Sequence, residues 1–356
     1  MKCANCSTEV SIADSRCPKC NSDLLAFGAT VFYEKSKHES DASSPATGMV
    51  FGAVENEYKS SLNGFNSDEK KIFSPATDIF KKIFQRHLTI DQLDEIFMSE
   101  IVPEVNECAR KYSGNNDIIA IEEIVAGNLK TSFASYRNPS TKITYTDKKG
   151  NIQKMSGKDV LDILTFGEYA YDYINRSIEG SDLSAVMFAF CKASEVACWL
   201  HAYERCRRLK ENPVIKKLYA ALGNDGDAIT IDEIPAWLNN RKGVIIEVIN
   251  GILYEDEYYI SGSMRTGVAI SILGRDWRMV IKQKGQGESE NILIQNIFMA
   301  KGGDDEKNLL ANKLCDLQGF RNRVAHKESI YAKSEVNSCR DLSYECLKAI
   351  PAIMEI

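Results

Sequence analysis

The stretch DLSAVMFAFCKASEVACWLHAYERCRRLKE, residues 182–211, decides the fold class. Its most apolar part, Ala185 to Leu200, carries Lys192 and Glu195, so it is too short and too charged to span a bilayer. The apolar residues recur at helical spacing, which predicts one long buried helix with Ser181 as its cap. Its predicted apolar face consists of Val186, Phe190, Ala193, Ala197 and Leu200.

Several polar or reactive side chains lie on the same predicted helix. We expect His201 to be a hydrogen-bonded core histidine, because the helix around it is largely apolar. Cysteine behaves as a small hydrophobe when it is packed, and the same interpretation applies to Cys191, Cys198 and Cys206. The basic end of the helix (Arg205, Arg207, Arg208 and Lys210) suits the negative pole of a helix and could equally contact phosphates.

Length, composition and net charge indicate which class of protein contains this helix. The chain has 356 residues, is 44% hydrophobic and 26% charged, and carries a formal net charge of -6. The length predicts about two domains. The apolar fraction is sufficient for a sizeable core and excludes a chain that is disordered throughout. The acidic balance argues against a protein that coats DNA but allows a local basic site for nucleic acid.

Further helices are predicted on both sides of the deciding stretch. Residues 67–135 form a helical block that Pro103 breaks or kinks, and 25–66 forms a polar linker. A β-hairpin is predicted over 142–155, and Ser156 with Asp159 should cap a helix that runs to about Ile178. Another helix is predicted from Leu309 to Leu317, and a last one from about Val336 to Ile350.

The segment 213–305 is harder to assign. Between Val244 and Lys282 it mixes short apolar runs with glycines, and such runs fit strands and helices equally well. The run from Gly223 to Glu233 resembles a calcium loop but lacks the carboxylate that opens such a loop and the required glycine, so we reject an EF-hand. Thr230 with Glu233 is expected instead to cap the next helix.

Eleven cysteines are present, and four of them form two C-x-x-C pairs near the N-terminus. Four thiolates arranged in this way are what a tetrahedral zinc ion requires, and a segment this short needs the metal in order to fold. The predicted structural Zn2+ ligands are Cys3, Cys6, Cys17 and Cys20. We therefore expect a zinc ribbon over residues 1–24; whether it contacts RNA, protein or nothing is open.

The number of cysteines and the N-terminal residues indicate the cellular compartment. An odd number of cysteines does not suit a disulfide scaffold, which is also usually shorter. Met1 is followed directly by Lys2 and Cys3, without an apolar stretch of the signal-peptide type. The expectation is a cytoplasmic protein that keeps most of its cysteines as thiols and does not associate with a membrane.

The second informative motif is GFRNRVAHK, residues 319–327. It resembles the R-N-x-x-A-H motif of the HEPN superfamily, whose members are compact helical bundles. The resemblance covers the helices of 156–212 and 306–356. The predicted fold is therefore mainly α: a helical region with a β-hairpin (67–155), then a HEPN-like bundle (156–356) with a mixed α/β insertion at about 213–305.

What the resemblance implies is a metal-independent endoribonuclease that is dimeric or a higher homo-oligomer. Arg321 would bind phosphate, His326 would act as acid and base, and Asn322 would position or hydrogen-bond the reacting groups. By analogy the protein would be a prokaryotic toxin or antiviral defence effector, with a regulatory protein as a further partner. In a regular helix Asn322 and His326 share a face, and Arg321 joins them only if Gly319 bends the helix or if two copies meet.

The sequence leaves alternatives open for the motif residues and for Glu195. Arg321, Arg323 and Lys327 could form an exposed basic turn, with His326 packed structurally. The chain would then be a non-catalytic adaptor that binds RNA or protein through the zinc ribbon and the helical bundle. Glu195 could pair with Arg321 or His326, but an ion pair with Lys192 on its own helix, or an exposed position, is the plainer expectation.

Overall fold

The structure is a computed structural model, and it describes residues 95–112, 114–146, 150–176, 183–223, 229–231, 242–254, 264–282, 289–325, 330 and 332–354. The described part is mostly helical, which confirms the prediction of a mainly α fold. The predicted zinc ribbon and linker, the start of the first helical block, and the caps at Ser181 and Glu233 lie outside these residues. None of the described helices combines the length and the apolar composition needed to cross a bilayer.

A π-helical turn, Phe97–Ile101, leads into the first helix, and the elements then follow in chain order. The helices are α1 (Val102–Tyr112), α2 (Gly114–Leu129), α3 (Ser132–Arg137), α4 (Gly157–Arg176), α5 (Ser184–Leu209), α6 (Pro213–Gly223), α7 (Lys242–Tyr254), α8 (Met264–Leu273), α9 (Asp304–Ala325) and α10 (Lys333–Ile353). The strands are β1 (Lys142–Thr146), β2 (Ile152–Ser156), β3 (Ile229–Ile231), β4 (Asp276–Lys282) and β5 (Ser289–Gln295).

Two compact units share these elements. The first contains the described residues of Met1–Val125, Asp162–Ala189 and Phe320–Ser338. Its core holds Phe97, whose ring meets those of Phe166 and Phe188 edge-on at centroid distances of 5.4 and 4.9 Å. The second unit contains Ala126–Leu161, Phe190–Gly319 and Cys339–Ile356.

Helix α5 is buried on all sides in its central part, not on one face as its periodicity predicted. Between Val186 and Ala202 even the polar residues Lys192, Ser194 and Glu195 are buried. The two charges are accommodated because Lys192 Nζ and Glu195 Oε2 form an ion pair at 3.3 Å, which confirms the ion pair expected for Glu195.

Helix α10 packs along α5 within the second unit. The thiols of Cys191 and Cys339 are 3.5 Å apart, and the hydroxyls of Ser194 and Ser343 hydrogen-bond at 2.9 Å. Ser343 Oγ also donates to the carbonyl of Phe190 at 2.7 Å. These buried polar contacts alternate with apolar packing and fix the register of the two helices.

The β-hairpin is confirmed, and its first strand is the better packed of the two. β1 and β2 pair antiparallel, with Thr144 opposite Lys154. The hairpin leads directly into α4, where the carboxylate of Asp159 accepts from the backbone N–H of Ser156 at 2.6 Å and from its hydroxyl at 2.9 Å. The predicted cap is therefore present.

The insertion contains both helix and strand. Apolar runs that were ambiguous in the sequence form α7, α8 and part of β4. Strand β4 is the central strand of a three-stranded antiparallel sheet of order β3-β4-β5, whose first strand precedes α7. The expected helix cap at Thr230 is wrong: Thr230 lies in β3 and is paired with Val280.

Pro103 was expected to break or kink a helix. The regular helix is interrupted by the π-helical turn beside Pro103, because proline clashes with the carbonyl four residues earlier in a regular helix.

Candidate functional site

The last residues of helix α9 carry the first five positions of the R-N-x-x-A-H motif, Arg321 to Ala325. The helix begins after Gly302, which has a φ of +84°, and Glu306 Oε2 accepts from the backbone N–H of Gly303 at 3.0 Å. It then runs without interruption to Ala325. Gly319 lies inside the helix, six residues before its end. The motif therefore ends a long helix and does not begin one.

The buried stripe of α9 includes Arg321. Buried residues recur along this helix at intervals of three or four: Leu310, Leu314, Leu317, Arg321 and Val324. Arg321 is 6% exposed, and it occupies a position at which the helical period calls for an apolar side chain. The interpretation of Arg321 as part of an exposed basic turn is wrong for this reason.

Asn322 faces the other way. It is exposed, one residue after the buried Arg321 and about 100° further round the helix. Within one protomer, the guanidinium and the carboxamide therefore do not share a solvent-facing surface. His326 follows α9 directly and lies outside the described residues.

Arg323 forms an ion pair with a residue of the next helix. Its Nη2 lies 3.2 Å from Glu335 Oε2, on the first turn of α10. Both side chains are partly exposed, so the pair adds only modestly to stability. It does link the end of α9 to the start of α10, the two helices between which residue 326 lies.

Ile330 forms a second link in the same unit. Its carbonyl accepts from the backbone N–H of Leu183 at 2.7 Å, and its own N–H donates to Ser184 Oγ at 3.3 Å. Ile330 is 1% exposed, so these bonds satisfy buried backbone groups. The connection after the motif is thus tied to the start of α5. Sequence reasoning missed Glu335 and Ser184, because each is distant in sequence from its partner.

His201 is a core residue, as expected. It is 4% exposed, and its Nδ1 donates to the carbonyl of Met354 at 2.9 Å. Burial lowers the pKa of His201 to about 4, although the bond to Met354 opposes the shift and the nearby Arg205 adds to it. The imidazole is therefore neutral at physiological pH and holds α5 against the end of α10.

The basic end of α5 is largely engaged within the protein. Arg205 Nη1 donates to the carbonyls of His201 at 2.8 Å and Met354 at 3.0 Å. Arg207 forms an exposed ion pair with Glu204 at 2.8 Å. Met354 directly follows α10, so Arg205 binds a carbonyl at the end of α10 and not one at the end of its own helix.

The predicted zinc ligands Cys3, Cys6, Cys17 and Cys20 all lie outside the described residues. Within the described ranges, no three histidine, cysteine or acidic side chains are grouped so as to hold a metal ion. The described cysteines are thiols, and those of α5 and α10 are buried. The chain matches no protein-family model, no curated protein and no solved structure.

Proposed function

We propose that the protein is a metal-independent endoribonuclease of the HEPN type. One observation carries the proposal: the R-N-x-x-A-H motif places the charged Arg321 at a core position of α9, beside the exposed Asn322. A buried charge at a position where the helical pattern predicts an apolar residue reduces the stability of the fold. Such departures from the pattern are expected where a residue has a function.

The chemistry requires three groups. A base removes the proton from the ribose 2′-hydroxyl, whose oxygen attacks the adjacent phosphorus. A cation stabilises the charge that develops on the phosphorane, and an acid protonates the 5′-oxygen as its bond to phosphorus breaks. The products are a 2′,3′-cyclic phosphate and a 5′-hydroxyl. Arg321 is assigned as the cation, His326 as acid and base, and Asn322 as the group that positions them.

A single histidine cannot be base and acid in the same step. Two copies of the chain that meet about a twofold axis bring two copies of His326 to one phosphate, and Arg321 from each can then contact it. The burial of Arg321 beside the exposed Asn322 supports such a composite site, because one protomer by itself does not present both side chains to solvent. Oligomerisation is part of the proposal.

The biological setting follows by analogy with the same superfamily. The proposed role is that of a prokaryotic toxin or antiviral defence effector that acts on RNA in the cytoplasm under the control of a regulatory protein. The four N-terminal cysteines would hold a structural Zn2+ in an accessory ribbon, outside the cleavage reaction.

Incubation of the purified full-length chain with total RNA in EDTA tests the proposal. Wild type should cut the RNA, and His326→Ala and Arg321→Ala should not. Because Arg321 is buried, its removal could also weaken the fold, so Arg321→Lys is a second variant: it keeps the charge but not the two-pronged geometry. Circular dichroism of each variant confirms folding. Full cleavage by a folded His326→Ala protein would overturn the proposal.

A second function is favoured by the burial of Arg321 itself. A guanidinium that is 6% exposed can serve to hold the end of α9, in which case the chain is a non-catalytic adaptor for RNA or protein. The same assay separates the two functions. An adaptor would retain RNA or a partner protein but leave RNA intact, in wild type and variants alike.

A further inference from the structure

The β-hairpin is a basic segment of an acidic chain. Residues 142–155 contain four lysines and one aspartate, a net charge of +3 in a chain whose total is -6. Two of the lysines, Lys142 and Lys154, lie on the described strands and are exposed. The hairpin is therefore a local exception to the acidic composition.

The strand register places both lysines on one side of the hairpin. Lys154 is opposite Thr144, and Ile152 is opposite Thr146. Side chains alternate along a strand, so one face presents five exposed residues, here called the outer hairpin face: Lys142, Thr144, Thr146, Ile152 and Lys154. Diagonal neighbours on such a face are about 7–8 Å apart. The face thus combines two cations with two hydroxyl donors.

Neither lysine of the outer hairpin face forms an ion pair with any residue that the structure describes. Lysines of α6 differ in this respect. Lys216 pairs with Glu211 at 2.6 Å, and Lys217 pairs with Glu290. Lys142 and Lys154 carry charge that the described residues leave uncompensated, which makes them suited to an external anion.

The other side of the hairpin is fixed to the helices of its own unit. Ile143 is buried, and the ring of Tyr145 lies on that of Trp199 at a centroid distance of 4.2 Å. At the base, the hydroxyl of Thr141 donates to the carbonyl of Ser135 at 2.8 Å, and the N–H of Gly157 donates to the carbonyl of Thr141 at 2.9 Å. The outer hairpin face is therefore held in place on a rigid base and left to solvent.

We propose that the outer hairpin face binds the phosphate backbone of RNA. The inference rests on the proposed function, which supplies RNA as the polyanion that this chain meets. Lysines contribute sequence-independent attraction to phosphates, and threonine hydroxyls donate hydrogen bonds to phosphate oxygens. The outer hairpin face presents these groups on two paired strands, together with the exposed side chain of Ile152. The hairpin is assigned as a substrate-holding surface separate from the R-N-x-x-A-H motif.

Fluorescence anisotropy with a labelled single-stranded RNA tests this inference on the full chain carrying His326→Ala, so that no RNA is cut. Lys142→Glu/Lys154→Glu should weaken binding by roughly tenfold at low salt. Lys142→Gln/Lys154→Gln should lower the slope of log affinity against log salt by about 1.4, since each phosphate contact to a single strand contributes about 0.7. Lys216→Glu/Lys217→Glu makes the same change in net charge at paired lysines and should leave affinity within about twofold.

Each outcome decides the inference. Equal losses in the hairpin and α6 variants would show that only total charge matters and would overturn it. Unchanged binding in the hairpin variant, no RNA binding by the parent, or hairpin-dependent binding of an acidic protein in place of RNA would overturn it as well.

Cleavage is scored separately with the same substitutions in the chain that keeps His326. RNA cutting that is insensitive to the hairpin would contradict the inference and leave the nuclease proposal standing. Hairpin-dependent RNA binding without any cutting would support the inference and contradict the nuclease proposal.

Discussion

Arg321 and Asn322 are consecutive residues on the last turn of α9, but Arg321 is 6% exposed and Asn322 lies in solvent. The two side chains, consecutive in the motif, are thus about 100° apart round the helix, one in the core and one in solvent. A site that uses both requires either a second copy of the chain or a role for Arg321 from within the core. This relationship underlies the composite, dimeric site proposed above.

Asn322→Ala should reduce RNA cleavage at least tenfold while changing the free energy of unfolding by only about 0.5 kcal/mol, because exposed substitutions seldom affect the fold. The control is Asn312→Ala, the same substitution at an exposed position earlier on α9. Cleavage rates and urea unfolding curves of both variants provide the comparison. If both variants cut RNA at the wild-type rate, Asn322 has no part in the reaction.

Gly157→Ala should destabilise the second unit. A Cβ at this position would lie 2.1 Å from the carbonyl oxygen of Tyr136, and Tyr136 is held by the bond from its hydroxyl to the carbonyl of Leu347 at 2.9 Å. The expected loss is roughly 1–3 kcal/mol, as for other overpacked sites.

Gly127→Ala is the matched control for Gly157→Ala. A Cβ at residue 127, in α2, would meet nothing within 4 Å, so this change should stabilise the helix by about 0.5–1 kcal/mol. Urea unfolding measures both effects. Equal effects of the two substitutions would show that the close approach of Tyr136 to Gly157 is absent.

The neutral, buried state of His201 predicts a pH dependence of stability. Its pKa is about 4 in the folded chain, against about 6.5 when unfolded, so the unfolded chain binds the extra proton between these values. Stability should therefore be complete above pH 6.5 and decrease as the pH falls toward 4. Between pH 7 and pH 5 the loss from this group is about 2 kcal/mol.

His201→Gln should remove that part of the pH dependence, which urea unfolding at pH 7 and pH 5 would reveal. The chain has four histidines, so the titration of each imidazole can be followed by NMR. A resonance of His201 that titrates near 6.5 would show that the imidazole is solvated.

Purified protein should contain about one zinc ion per chain, bound by the four N-terminal cysteines. Cys3→Ser or Cys17→Ser should lower the zinc content, because a tetrahedral site loses a ligand. Cys315→Ser, on α9, changes a cysteine outside this group and should retain the metal. Elemental analysis after gel filtration measures the content. Retention of full zinc by Cys17→Ser would contradict the ribbon.

Much of the helical fold follows from periodicity in the sequence, and its limits are physical. The hairpin and the cap at Ser156 were predicted because they depend on neighbouring residues. The period of α5 was recognised, but not its burial on all sides, because Lys192 and Glu195 neutralise each other and enter the core. The sequence predicted the ion pair but not its position inside the core.

The sequence of the insertion contains helical spacing that would have predicted α7. Buried residues of α7 recur at helical spacing, namely Ile245, Val248, Ile249 and Ile252. The many β-branched residues suggested a strand with equal strength, and tertiary packing decided between the two. At the candidate site, the exposure of Asn322 and the burial of Arg321 follow from the stripe on α9. The contacts of Arg323 with Glu335 and of Ile330 with Ser184 join residues that are distant in the sequence, so no local sequence pattern predicts them.

The chemical nature of the RNA ends tests the central claim most directly. RNA treated with the wild-type protein in EDTA, then analysed by mass spectrometry, should yield fragments that end in a 2′,3′-cyclic phosphate and begin with a 5′-hydroxyl. Folded His326→Ala protein should yield none. Fragments with 5′-phosphates, or the same cyclic ends produced by His326→Ala, would contradict attack by the 2′-hydroxyl under the control of this motif.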